Sequence, residues 1–257
     1  MTHDLPPVAV VLPTWNEADQ IGRVLASLSR QTVRPAHVVV VDGGSTDHTV
    51  SLARQAGAEV IEVAEDHRGR GNQIAVGVAS LPREFDLVLI AHADMEFPPD
   101  AVEAVARAFA AADHLAGGCL GHRFDAPERF FRALEWFNRL RAVWGVPFGD
   151  QAQFFRRSAL ETVGGFPSQP IMEDVELALR LLRLRSFVAL ERPVRVSTRD
   201  FRRHGIGGAM IRYAVFLTAY ALGGPSACQA IHARYYAHHQ MNKHINISSS
   251  HSIPGAS

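Results

Sequence analysis

HVVVVDGGSTD, residues 37–47, sets the fold class. Four consecutive valines make an apolar run too short for a buried helix. Two glycines end the run, and a polar segment with Asp47 leads into the next periodic stretch. The pattern is a buried strand, a tight turn and a helix. Glycines at 43 and 44 permit that turn and let backbone approach a ligand closely. Asp42 can accept hydrogen bonds from a ribose hydroxyl or a base N–H. Taken alone, the segment also fits an ordinary strand-to-helix loop with Asp47 near the helix start.

The same unit recurs on either side. VAVVLP (8–13) reads as a strand, and Ile21, Val24, Leu25 and Leu28 follow at helical spacing. AEVIEVA and FDLVLIA read as two more strands. NQIAVGVASL and AVEAVARAFAAA read as the helices after them. Such alternation predicts an α/β fold, a mostly parallel, Rossmann-like central sheet with helices on both faces. Ligands bind beyond the carboxyl ends of such strands. Three strand ends are polar here: Pro13 to Glu17, Asp42 to Ser45, and His92 to Asp94. They are expected to converge on one site. The second half is less regular. Strands are expected over 116–124, 151–157 and 187–196, and helices over 128–144, 158–166 and 173–185.

Length and composition bound the function. The chain has 257 residues, 47% apolar and 20% charged, and no net formal charge. No broad electrostatic pull toward nucleic acid or anionic membrane is therefore expected. Cys119 and Cys228 fit neither a metal spacing nor a disulfide framework, so a reducing, cytoplasmic compartment is expected. The N-terminal residues show no signal-peptide pattern. The longest apolar run, YAVFLTAYALGG from Tyr213, is too short to span a bilayer and is expected to pack in the core. Peripheral contact at the inner face of a membrane stays open. From about His238 the chain is poor in apolar residues, and a mobile tail is expected.

PTWNE (13–17), DGGSTD (42–47), HAD (92–94), GDQAQFF (149–155), GGF (164–166) and MED (172–174) occur in that order. The series resembles family 2 glycosyltransferases of the GT-A fold over roughly residues 8–205, and within them a short soluble bacterial subgroup with HAD in place of DxD. The resemblance implies one GT-A domain over 1–222, with a nucleotide-binding half at about 8–115 and an acceptor half at about 116–222. Residues 223–257 would be an extension. It implies a nucleotide-diphosphate sugar, a UDP-sugar, as donor and a small-molecule or lipid-linked hydroxyl acceptor, with inversion at the anomeric carbon. Pro13, Asn16 and Glu17 would line the base pocket, Asp42 would contact the nucleoside, and Arg70 would meet the diphosphate.

HAD keeps only the final acid of DxD. The resemblance implies that Asp94 holds Mg²⁺ or Mn²⁺, which suit carboxylate and phosphate oxygens. His92 would face the ribose or sugar, or supply an imidazole behind the metal's direct ligands. His204 would be a second metal ligand. In MED, Asp174 would be the general base and Glu173 would raise its proton affinity. The two acids also suit the first turn of a helix for its dipole. Gly149 and Asp150 would sit beside donor sugar and acceptor, and Gln151 would bond a sugar hydroxyl. Trp144 and Phe148 would stack on an acceptor ring or join the core. Arg199, Arg202 and Arg203 would hold the diphosphate or mark a surface helix start. No QxxRW motif follows, which argues against processive polymer synthesis. Two other readings compete: a nucleotidyltransferase, which wants a glycine-rich, lysine-bearing loop that PTWNE lacks, and a non-catalytic nucleotide-binding protein.

Overall fold

The computed structural model describes residues 5–249 except 144–146, 148 and 170, and side chains other than those of 66, 200 and 232–249. Trp144 and Phe148 lie outside the described residues. Four parallel strands form the first half: β1 (Val8–Thr14), β2 (His37–Asp42), β3 (Glu59–Glu62) and β4 (Leu87–Ile90). All seven residues of β1 are buried, because it lies between β2 and β4 with helices on both faces.

Alternation along the strands assigns the two faces. Val8, Val10 and Leu12 pack with helix α1 (Ala18–Ser29) and helix α4 (Ala101–Ala111). Ala9 and Val11 pack on the opposite face with Ile74 of helix α3 (Arg70–Ser80) and Leu177 and Leu181 of helix α7 (Glu173–Arg183). Helix α2 (Thr49–Gln55) covers the edge beside β3. α1 buries Ile21, Val24, Leu25 and Leu28, the stripe that its spacing predicts.

The second half completes the sheet and adds a smaller one. β8 (Gln153–Arg156) lies antiparallel between β4 and β6 (Gly117–Cys119), and β9 (Phe187–Ala189) ends the order β3-β2-β1-β4-β8-β6-β9. One sheet therefore draws on both halves of the chain. A three-stranded sheet is formed by β5 (Met95–Glu96), β10 (Val194–Val196) and β7 (His122–Phe124). Residues 116–124 are thus not one strand. Gly121, at φ +80°, turns the chain out of the large sheet and into the small one. Residues 187–196 divide between the same two sheets.

Helix α5 (Arg129–Val143) and the short α6 (Arg157–Glu161) occupy expected positions. The greater departure is α8 (Arg199–Ser249), a helix broken at Gly205 and at Gly224, the latter followed by Pro225. Its backbone is helical through residues 238–249, where composition predicts a mobile tail. The segment from Tyr213 is not core: Tyr213, Val215, Leu217 and Leu222 are exposed, while Phe216 is buried. An apolar segment docked along one narrow face leaves its other faces to the outside. Phe201–Ile231 is long and apolar enough to cross a membrane.

Candidate active site

The ends of β1 and β2 are tied together by polar side chains. Asp42 is fully buried. Its Oδ2 accepts from the backbone N–H of Gly44 (2.9 Å) and Ser45 (2.7 Å). Its Oδ1 accepts from the hydroxyls of Ser45 (2.5 Å) and Thr14 (3.3 Å). Asn16, at φ +53°, crosses to the same loop: its N–H donates to Ser45 Oγ, and its Oδ1 accepts from Thr46 N–H (2.9 Å). Gln73 donates to the carbonyls of Thr14 and Val41, both at 2.8 Å, and clamps the two strand ends from beneath. Arg68 donates to Gly43 O (2.6 Å), and its guanidinium lies 4.7 Å from the Trp15 ring centre.

Below this shelf α3 and α7 meet. The approach is close because Gly71 lies at the contact: a Cβ there would sit 2.0 Å from Gln169 O and 2.7 Å from Glu173 Cβ. Arg70 donates to Glu173 Oε1 and lies 3.5 Å from Asp174 Oδ2. Asp174 Oδ2 accepts from the Gly149 N–H at 2.6 Å, and its Oδ1 from the Val175 N–H at 2.9 Å. Gln153 donates to the Asp174 carbonyl, which fastens β8 to the start of α7. Burial works against the charge of Arg70, but Glu173 and Asp174 outweigh it and hold the guanidinium above its ordinary range. Burial pushes the Glu173 carboxyl up to about 7, with Arg70 opposing and Asp174 adding to the push.

His92 and Asp94 complete the ring. A Cβ on Gly149 would lie 3.2 Å from both His92 Nε2 and Asp174 Oδ2, so the HAD and MED segments meet at that glycine. Burial, then the charge of Arg70, pushes His92 down to about 3, and the imidazole is neutral. Burial, then the Glu17 carboxylate, pushes Asp94 up to about 6. Asp94 lines a cleft of about 240 Å³ with Arg23 and Arg195. Several buried polar atoms lack hydrogen-bond partners among the described residues, including His92 Nε2, Asp150 Oδ1, Glu173 Oε2 and His122 Nδ1. Buried polar atoms are ordinarily paired, and these four lie in or beside the HAD, GDQAQFF and MED segments. Backbone strain gathers here too. Among the described residues, three of the four non-glycine residues at positive φ are Asn16, Ala152 and Met172, each within or beside a site motif.

The model of glycosyl transferase family 2 matches residues 9–165, more than half of the chain. The chain belongs to glycosyl transferase family 2. The dolichyl-phosphate hexose transferase of Haloferax volcanii is 30% identical to this family 2 chain over 176 residues, 66% of this chain and 69% of that protein. The 4,4'-diaponeurosporenoate glycosyltransferase of Staphylococcus aureus is 40% identical over 63 residues, 24% of this chain and 16% of that one. Among solved structures, the mannosyltransferase PcManGT from Pyrobaculum calidifontis, in complex with GDP-Man and Mn²⁺, has a TM-score of 0.63 at 26% identity. The match covers 91% of this chain and 70% of that one. S. aureus TarS 1-349 shares the fold, with a TM-score of 0.59 at 19% identity; this chain spans 60% of its length. The fold is GT-A.

The family 2 chain places the expected residues unevenly. Gly149, Glu173, Asp174, Arg70 and His92 are brought together. Arg70, expected on a diphosphate, is engaged with the two acids. Glu17, expected in a base pocket, receives two hydrogen bonds from Arg199, at 2.8 and 2.9 Å. Gln151 is turned inward, 3.7 Å from Cys119 Sγ and 3.5 Å from the Asn138 carbonyl. Pro13 is buried within β1. His204 is exposed on α8, and no three His, Cys, Asp or Glu side chains group as metal ligands among the described residues. Sequence reasoning missed His122, whose buried ring lies 3.8 Å from Asp150 Oδ1 and is met by Asn138 at 3.3 Å. A histidine inside a short strand carries no pattern of its own, so nothing local signals it.

Proposed function

We propose that this chain is an inverting glycosyltransferase that moves a sugar from a UDP-sugar to a hydroxyl acceptor. The observation that carries this reading is the set of buried polar atoms near Gly149 and Asp174 that lack partners among the described residues, beside the mostly parallel sheet. A sugar with several hydroxyls is the kind of ligand that would satisfy such a set. The acceptor oxygen forms its bond to the anomeric carbon as the bond to the diphosphate oxygen breaks, and the acceptor proton passes to Asp174. The Gly149 and Val175 N–H groups keep Asp174 fixed for that transfer. Arg70, held by Glu173, brings positive charge to the same place. GDP-sugars are tested beside UDP-sugars because PcManGT was solved with GDP-Man.

A divalent cation fits Asp94. Asp94 is largely buried near the Glu17 carboxylate, which Arg199 engages, and carboxylate oxygen suits Mg²⁺ or Mn²⁺. Asp94 would hold the ion together with donor phosphates, and the ion would neutralise charge on the leaving diphosphate. The test is nucleotide release from a panel of UDP- and GDP-sugars by wild type and Asp174→Asn. The variant is expected to turn over about 10²–10⁴-fold more slowly, with KM for the donor within about twofold. Release at the wild-type rate would remove Asp174 from this role.

A further inference from the structure

Charge is unevenly spread along the chain. Residues 201–257 hold Arg202, Arg203, Arg212, Arg234 and Lys243 and neither aspartate nor glutamate, whereas the first 200 residues hold 21 basic and 26 acidic side chains. The basic end is also the apolar helix. Between the breaks at Gly205 and Gly224, α8 exposes Ile206, Met210, Ile211, Val215 and Leu222, the last 85% exposed. A second exposed stripe, Trp136, Phe137, Leu140 and Val143, runs along α5, which meets α8 where Phe201 packs on Phe130 and Phe131.

We propose that α8, joined by the stripe on α5, docks in the plane of an anionic lipid bilayer. Apolar side chains with arginines among them suit the boundary between acyl chains and negatively charged headgroups. Crossing the bilayer would strip α8 from the domain. Phe216 and Cys228 bury against Met172, just before α7, and Val175 within it, and the Tyr220 hydroxyl donates to Glu176 at 2.5 Å. A second copy of the chain is a poorer occupant. A contact of α8 with α8 would offer these arginines no carboxylate, since residues 201–257 hold neither aspartate nor glutamate, whereas anionic headgroups neutralise them. The consequence for function rests on the glycosyltransferase reading. Phe216 packs beside Met172, which precedes Glu173 and Asp174, so docking sets the reaction centre near the bilayer. A hydroxyl acceptor carried on a lipid would be presented there.

The test is flotation of the purified full chain with phosphatidylcholine vesicles, with and without phosphatidylglycerol. Wild type is expected to bind the anionic vesicles at least tenfold better, and added salt is expected to weaken that binding. Ile211→Glu with Leu222→Glu is expected to reduce it tenfold or more. Arg202→Gln and Arg203→Gln are expected to reduce it about fivefold each. Circular dichroism and melting of each variant check that the fold is kept, since all four positions are exposed. Absence of binding to anionic vesicles, or binding that survives the two glutamates, would overturn the proposal. So would a dimer in light scattering that Ile211→Glu dissolves. Flotation uses no sugar donor, so its failure leaves the transferase reading to be judged on nucleotide release alone.

Discussion

Glu173 is 1% exposed, and among the described residues only one of its oxygens is paired, with Arg70. Its carboxyl holds a proton up to about pH 7, against 4.5 for the ordinary side chain, because burial disfavours its charge. Between those values the folded chain binds more protons than the unfolded one at this position. Stability is therefore full below about 4.5 and declines as pH rises through about 7. Glu173→Gln is expected to flatten the fall in melting temperature between pH 5 and 8, measured by calorimetry against wild type. An equal fall in both would show that Glu173 does not govern it. Much of this environment could not be read from the sequence. That MED carries two acids at a helix start is visible. That Arg70, 103 residues earlier, joins them is a product of helix packing. Asp42 is similar: its position after a buried strand was legible, while the commitment of both its oxygens to Thr14, Gly44 and Ser45 was not.

At the scale of elements, the contact of α3 with α7 sets the distance between the arginine and the acids. Gly71 makes that contact possible, since a Cβ would overlap the Gln169 carbonyl at 2.0 Å. Gly71→Ala is expected to cost about 1–3 kcal/mol as the helices part, with a larger fractional loss of nucleotide release than of folded protein. Chemical denaturation and a rate assay on the same sample measure both. Wild-type stability would show that the helices can shift without loss. The strands and helices of the first half were legible because each has a run or a stripe of its own. β5 was not, and β7, β9 and β10 were legible only as parts of longer extended segments, being two or three residues long. Short strands take their identity from partners distant in sequence, and turns such as Gly121 redirect extended segments between sheets.

For the whole molecule, the large sheet carries the polar ends of β1, β2 and β4, and α8 carries the apolar, basic surface beside the acids. Zero net charge conceals this division, because the two ends of the chain cancel. The apolar segment in α8 reads as core by composition and is exposed because it meets the domain along one face only. The central claim is that the site binds a nucleotide diphosphate through Asp94 and a divalent cation. Calorimetric titration of wild type and Asp94→Ala with UDP and with GDP, each in Mn²⁺ and in EDTA, tests it most directly. Wild type is expected to bind one nucleotide in Mn²⁺, with binding lost in EDTA and lost in Asp94→Ala. Binding indifferent to both EDTA and the substitution, or no binding of either nucleotide, would contradict it.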